Sequence, residues 1–488
     1  MRRLAAVLLF GLSLAPRSHA APPPGDLDRS TPEMQGVASA SILQLVDALD
    51  RIEGVHSVMI LRHGKVLAEG WWAPYDADSN HELYSLSKSF ASTAVGFAIA
   101  EGKLSLDDEL LKIFPEDAPP EPSANLKSMR IRDLITMSAG HQDETSSAAD
   151  KITPKSFLAH PVPHKPGTHF KYNTPATFML SAAVQKRTGQ TLAEYLKPRL
   201  FDPLGIAKPV WNTNAQGIAL GGYGLRVRTE DIARFGQLYL QKGVWQGKQL
   251  LPKEWIELAT SRQVSNGSNP KSDWEQGYGF QFWRCRNGAY RGDGAFGQYC
   301  VVLPEQDMVL AITSGLRDMQ AVLNLIWDKL LPGIYAGTVQ AGPEVDALRE
   351  RLKTLTLKPV DGAATSALSA SVSGKKYVFP PNDQKLESLA WSADGVSLTM
   401  NGTETKIACG FKEWKRGKGA YGAYKDEPAA ASGAWTKDDT YVAKQVFTET
   451  PYTLTATLQF TGDEVRCALE TNVGFGATRK PAGVGKRE

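Results

Sequence analysis

The chain changes its hydrophobic rhythm several times. In Ser57 to Trp72 (SVMILRHGKVLAEGWW), two runs rich in β-branched and apolar residues flank His63-Gly64-Lys65, the pattern of two strands around a turn. From Ser87 to Glu101 apolar residues recur at helical spacing, including Phe90, Ala94, Phe97 and Ala98, and predict a long amphipathic helix. Helical patterns and proline-rich loops then run to residue 265. Strand patterns return in YGFQFWRC, GQYCVVLP and DMVLAITSG, between Tyr278 and Gly315. Two β segments separated by a mainly helical insert predict an α+β unit, with an antiparallel sheet assembled from both ends, flanking helices and a helical lobe.

A helix-like segment, Val345 to Leu357, leads into the small, polar run Asp361 to Ala370, which reads as a linker. Beyond it the pattern alternates. Asp394-Gly395 and Asn401-Gly402 are hairpin signals, and two more strands surround Thr461-Gly462-Asp463. These features predict a C-terminal antiparallel β-sandwich or small barrel. The expected divisions are 1–20, 21–360 and 361–488.

The first division reads as an export signal. Arg2 and Arg3 precede the apolar stretch Leu4 to Leu14, and Ser18-His19-Ala20 is a small-x-Ala cleavage site. A periplasmic or secreted protein, cut after Ala20, is expected. The signal also changes the charge: the 55 basic and 52 acidic residues differ only by the three arginines of this segment, so the mature chain is neutral. That gives no electrostatic ground for nucleic acid or an anionic membrane as partner. No later run is apolar for the roughly 20 residues a transmembrane helix needs.

Export permits disulfides among Cys285, Cys300, Cys409 and Cys467. Of three connectivities the sequence-local one, Cys285 with Cys300 and Cys409 with Cys467, is preferred, with four free buried thiols as the alternative. All eight histidines lie at or before His169 without metal-ligand spacing, so neither a metal nor any other cofactor is expected.

The chemistry rests on Ser-x-x-Lys, a short motif that recurs by chance. It occurs at Ser85/Lys88, Ser268/Lys271 and Ser373/Lys376, and only the first opens a long helix. A three-residue step puts both side chains on one helix face. Serine in the first turn lies at the positive end of the helix dipole, where free N–H groups hold an oxyanion. A buried lysine loses its preference for charge and becomes a base near neutral pH. Read alone, the pair is equally a capping serine before a solvated lysine.

Tyr172, in HFKYNT, is a second acid/base candidate if Lys88 lowers its pKa. Arg291 to Gln298 (RGDGAFGQ) is a glycine-rich strand entry where a substrate carbonyl could approach a backbone N–H. Without context these are a core tyrosine and a hairpin.

In this order the three elements, with the text around them, resemble the penicillin-recognising serine hydrolases: class C β-lactamases, D,D-peptidases, family VIII esterases and 6-aminohexanoate-dimer hydrolases. The matching stretches are YSLSKSFASTAVGFAIAEGKLSLDDEL, IRDLITMSAG, PGTHFKYNTPATFMLSAAVQKRTG, FDPLGI, GGYGLRVRTEDIARFGQLYL and DGAFGQYCVVLPEQDMVLAITSG, spread over residues 40 to 330. The resemblance implies a β-lactamase-like fold with Ser85 as nucleophile, Lys88 as its proton acceptor and Tyr172 as the acid that protonates the leaving group. It places the oxyanion hole at the backbone N–H groups of Ser85 and Ala295. It puts Asp293, Gly294 and Asn173 beside the substrate.

Two departures shape the substrate expectation. Asn173 directly follows Tyr172 where the family often has Tyr-x-Asn, so Thr174 takes the third place. The family's Lys-Thr-Gly is Gly292-Asp293-Gly294, and Asp293 would repel a substrate carboxylate unless Arg291 or Arg286 compensates. Ester or amide hydrolysis is therefore ranked above β-lactam hydrolysis, and the expected partner is a small-molecule ester, amide or peptide-like substrate. A D,D-peptidase, a β-lactamase and a non-catalytic sensor or binding protein of the same fold are the alternatives. The C-terminal unit lies outside the resemblance. It is open to a cell-wall or glycan contact, although Trp391, Trp414 and Trp435 more often form a core than sugar platforms.

Overall fold

The computed structural model describes residues 27–422 and 424–488; the expected export signal, residues 1–20, lies outside them. Seven strands make the first sheet: β1 (Asp28–Arg29), β2 (Val55–Arg62), β3 (Lys65–Trp71), β4 (Trp283–Arg284), β5 (Tyr290–Gly294), β6 (Gln298–Leu303) and β7 (Met308–Ser314). Their spatial order is β1-β3-β2-β7-β6-β5-β4, antiparallel except for the β1/β3 edge. The sheet thus joins the two ends of the α+β unit, with β2 registered on β7 from Arg62↔Met308 to Val58↔Ile312.

The longer helices are α1 (Ser39–Arg51), α2 (Ser87–Ala100), α3 (Thr174–Thr188), α4 (Thr229–Leu240) and α5 (Glu344–Lys353); α1, α2, α4 and α5 cover the two faces of this sheet, and α3 packs against α2. Alternate strand residues therefore enter two different cores. Val58, Ile60, Val301, Leu310 and Ile312 pack with α1 and Leu348 of α5, whereas Met59, Leu61, Val302, Val309 and Ala311 pack with α2 and α4. Burial of both faces is why these strands read as continuous apolar runs. The same alternation overturns the expected Cys285–Cys300 pairing. Cys285 lies in the α1 core and Cys300 in the α4 core, and all four cysteines are free.

The C-terminal residues form one ten-stranded antiparallel sheet that curls into a nearly closed barrel, the second of the two expected forms. Its strands are β8 (Lys376–Val378), β9 (Leu386–Ser392), β10 (Gly395–Met400), β11 (Thr403–Ala408), β12 (Lys415–Tyr421), β13 (Tyr424–Lys437), β14 (Thr440–Phe447), β15 (Thr453–Thr461), β16 (Glu464–Thr471) and β17 (Gly483–Arg487). They are ordered β11-β10-β9-β8-β17-β16-β15-β14-β13-β12, and the two end strands approach each other. Asn401 and Gly402 both take positive φ (49° and 71°), the geometry of the hairpin turn that this dipeptide favours. Trp391 and Trp435 are buried against each other and Tyr441 in the barrel core, so neither offers a face to a sugar.

The barrel is tied to the helix-flanked sheet. Arg226 makes two hydrogen bonds to Glu427 (2.8 and 3.1 Å), and the Glu82 amide donates to the Glu449 carbonyl (2.8 Å). The run expected to be a free linker is held at its start: Ala363 bridges to Trp435, and the Val360 amide donates to the Ser432 hydroxyl.

Candidate active site

Ser85 stands in a single 3-10 turn, Tyr84–Leu86, that runs directly into α2. The helix it introduces is not amphipathic. Every residue from Ser87 to Ala98 is buried, because α2 threads between α3, α4 and β5. Its small residues permit this: a Cβ at Gly96 would lie 2.6 Å from the Trp255 ring. The backbone enters the turn through Tyr84 at φ 47°, a left-handed conformation that a bulky side chain rarely adopts.

Lys88, one turn along, points back at the serine. Its Nζ donates to Ser85 Oγ (2.9 Å), to the Gly222 carbonyl (2.8 Å) and to Thr174 Oγ1 (3.3 Å), and the side chain is 1% exposed. Three partners match the three donors of an ammonium. Burial lowers its pKa to about 7, although the charges of Glu144 and Asp293 pull the other way. Once neutral, the amine keeps two N–H bonds for Gly222 and Thr174 and turns its lone pair to the serine.

Tyr172 comes from the extended segment before α3, pinned by the Lys171 amide donating to the Met137 carbonyl (2.8 Å). Its ring stacks on Trp283 (5.3 Å between centroids, 19° between planes) and lies 4.9 Å from Lys88 Nζ. The structure does not support a lowered phenol pKa. Burial first, and then the charge of Asp293, push it up, and an interaction with the Ser85 hydroxyl only partly opposes them. The phenol therefore stays protonated at neutral pH and is equipped as an acid. Asn173 is buried, and its Oδ1 accepts from the Ala176 amide (3.1 Å), so it caps α3 and does not face the cleft. Thr174, in the third place, touches Lys88.

β5 closes the other side. A Cβ at Gly292 would lie 2.5 Å from Leu86 and from Ser89, and one at Gly294 would overlap the Leu83 carbonyl oxygen and stand 3.1 Å from the Ser85 amide nitrogen. Glycine is required here for close approach, and it brings the end of β5, with Ala295 next, alongside the serine. Asp293 and Arg291 form a buried pair (2.8 Å), and Arg291 also donates to the Asp273 carbonyl. Arg286 is likewise held by Asp273 (2.7 Å). Both arginines expected to compensate for the missing lysine are thus already engaged.

The other two Ser-x-x-Lys pairs lie at the surface. The Ser268 amide donates to Glu275, and Lys376 pairs with Glu488. Sequence reasoning assigned no role to Thr174, Gly222 or Glu144. Thr174 and Gly222 belong to matched stretches, but nothing local marks them as lysine partners. Glu144 Oε1 accepts from the Thr174 amide (3.1 Å) out of a polar loop.

Residues 42–324 match the family model described as Beta-lactamase. The 6-aminohexanoate-dimer hydrolase of Paenarthrobacter ureafaciens is 27% identical over 300 residues, which cover 56% of this chain and 76% of that protein. Lovastatin esterase of Penicillium rubens is 27% identical over 194 residues, 34% of this chain and 47% of that one. Among solved structures, the "Putative 6-aminohexanoate-dimer hydrolase from Bacillus anthracis" superposes with a TM-score of 0.50 at 20% identity, covering 67% of this chain and 86% of the other.

Proposed function

The chain belongs to the Beta-lactamase family, and from that premise we propose that it is an exported serine hydrolase cleaving an ester or amide through an acyl-enzyme on Ser85. The observation that carries this reading is the 2.9 Å contact from Lys88 Nζ to Ser85 Oγ, made by a lysine with a pKa near neutrality.

The steps follow from the groups present. Neutral Lys88 takes the Ser85 proton as Oγ attacks the substrate carbonyl carbon, and the carbonyl π electrons move onto its oxygen. The Ser85 and Ala295 amides stabilise that oxyanion. When the carbonyl re-forms, the bond to the leaving oxygen or nitrogen breaks, and protonated Tyr172 supplies the leaving group's proton. Lys88, now charged, returns a proton to the phenolate. Water then attacks the acyl-enzyme with proton transfer through the same pair and releases the acid.

The closed Arg291–Asp293 pair supports an ester or amide without a carboxylate at that position, and it disfavours β-lactams and D-Ala-D-Ala peptides. The export part of the proposal rests on Arg2 to Ala20 alone. Short-chain p-nitrophenyl esters test the reaction: the wild type is expected to turn them over and Ser85→Ala to fall to background. Equal rates in the two proteins would refute the assignment.

A further inference from the structure

The two residues proposed for the oxyanion hole each have an aromatic neighbour on the chain. Tyr84 precedes Ser85, Phe296 follows Ala295, and their rings meet edge to face at 5.4 Å. A third ring reaches the same spot from the barrel. Phe475 lies 4.9 Å from Phe296 and 5.6 Å from Tyr84, yet it is 77% exposed. A single exposed apolar side chain needs no explanation, but one that extends a buried aromatic cluster beside a nucleophile does.

The segment that carries Phe475 is fixed at its base and open at its tip. Asn472 Nδ2 donates to the Gly315 carbonyl (3.0 Å), and Val473 is buried. Arg317 donates to the Asn472 carbonyl (2.9 Å) and to Thr478 Oγ1 (2.7 Å). Between these anchors Phe475 stands between Gly474 and Gly476. Beside its flanking glycines opens a recess of about 470 Å³ whose lining includes Ala295, Phe296, Leu316 and Met319 together with the polar Arg317 and Thr478. That volume falls within the roughly 300–1,000 Å³ of small-molecule sites. Its wall includes the residue whose amide is proposed to hold the oxyanion, so the group bonded to the substrate carbonyl has room immediately beside it, with Phe296, Leu316 and Met319 supplying the apolar part of that wall.

We propose that the barrel completes the substrate cleft: Phe475 and Phe296 flank an acyl subsite, and the enzyme prefers esters or amides of bulky apolar acids. This rests on the reading of Ser85 as the acylated nucleophile. Phe475 is then a specificity-determining residue supplied by a part of the chain beyond the family match at 42–324.

The test compares p-nitrophenyl acetate with p-nitrophenyl octanoate, and acylation of Ser85 by p-nitrophenyl methyl- and octylphosphonate followed by intact mass, in wild type, Phe475→Ala and Phe475→Leu. Wild type is expected to favour the octanoyl and octyl reagents. Phe475→Ala should lose about tenfold on them relative to the short ones, with acetate turnover within about twofold of wild type. Phe475→Leu should retain most of the preference. An unchanged octyl-to-methyl ratio in Phe475→Ala would overturn the subsite while leaving the acyl-enzyme reading intact. No adduct on Ser85 from either phosphonate in any of the three proteins would refute both.

Discussion

The phenol oxygen of Tyr84 lies 2.5 Å from that of Tyr452, so a barrel residue just ahead of β15 holds the side chain that immediately precedes Ser85. Tyr424 adds a second phenol at 3.3 Å, and the Tyr84 backbone is in the left-handed region at φ 47°. Strain of this kind persists where surrounding contacts hold it in place. Tyr452→Phe is expected to lose about 1 kcal/mol of stability. It should also lower kcat more than it raises KM, because the nucleophile's turn relaxes while the substrate walls remain. Thermal unfolding together with steady-state kinetics measures both. An unchanged kcat would show that the barrel does not position the serine.

In the proposed mechanism Lys88 sets the pH dependence. It accepts the Ser85 proton only when neutral, so kcat/KM should rise with pH through about 7 as a single ionisation. Tyr172 opposes no part of this rise, since its raised pKa keeps it protonated throughout the range. Lys88→Arg, charged at every accessible pH, should abolish the rise together with the activity. A flat profile from pH 6 to 8.5 in the wild type would contradict the lysine's role.

Gly294 is expected to tolerate no side chain. In Gly294→Ala the new methyl overlaps the Leu83 carbonyl oxygen, so either β5 or the turn carrying Ser85 must shift. Activity should fall at least about 100-fold through the disturbed oxyanion site. Stability should fall by about 1–3 kcal/mol, as for other overpacked positions. Retained activity would place the oxyanion donors elsewhere.

His56 and His81 make a buried pair with ring nitrogens 3.0 Å apart, and His56 stacks on Tyr75, whose hydroxyl donates to the barrel's Thr450 carbonyl. Burial lowers both pKa values, that of His81 to about 4, with the neighbouring His81 adding to the effect on His56. The unfolded chain binds these protons near pH 6.5 and the folded chain only well below it, near 4 for His81, so stability is full above 6.5 and is lost as the pH falls below it. His81 contributes up to about 1.4 kcal/mol per pH unit between 6.5 and 4, and His56 acts in the same direction. The melting temperature should therefore drop between pH 7 and pH 4.5, and His81→Gln should flatten the decline. An equal slope in the variant would assign the acid sensitivity to other groups.

Much of the scaffold and half of the site are legible in the chain itself. β2, β6 and β7 announce themselves because both of their faces are buried. The Ser85–Lys88 contact follows from a three-residue step, which is local geometry. YGFQFWRC was expected to be a strand, yet only Trp283–Arg284 pairs as one, since its aromatic residues turn into separate clusters: Phe280 and Phe282 into the α2 core, Tyr278 and Trp283 onto Tyr172. The amphipathic expectation for α2 fails because period alone does not say how many neighbours surround a helix. Thr174 and Gly222 are 86 and 134 residues from the lysine they bind, a nearness that only folding creates. The Cys285–Cys300 pairing fails for a related reason: closeness along the chain does not fix which face of the sheet a side chain takes; Cys409 and Cys467, which share the barrel core, are also free.

The central claim is that Ser85 becomes acylated with Lys88 as its base. Peptide-mapped mass spectrometry after brief exposure to an alkyl fluorophosphonate tests this most directly. The expected result is a single adduct on the Ser85 peptide in wild type, none in Ser85→Ala, and formation slowed at least about 100-fold in Lys88→Ala. An adduct formed equally well in Ser85→Ala, or none in the wild type, would contradict it.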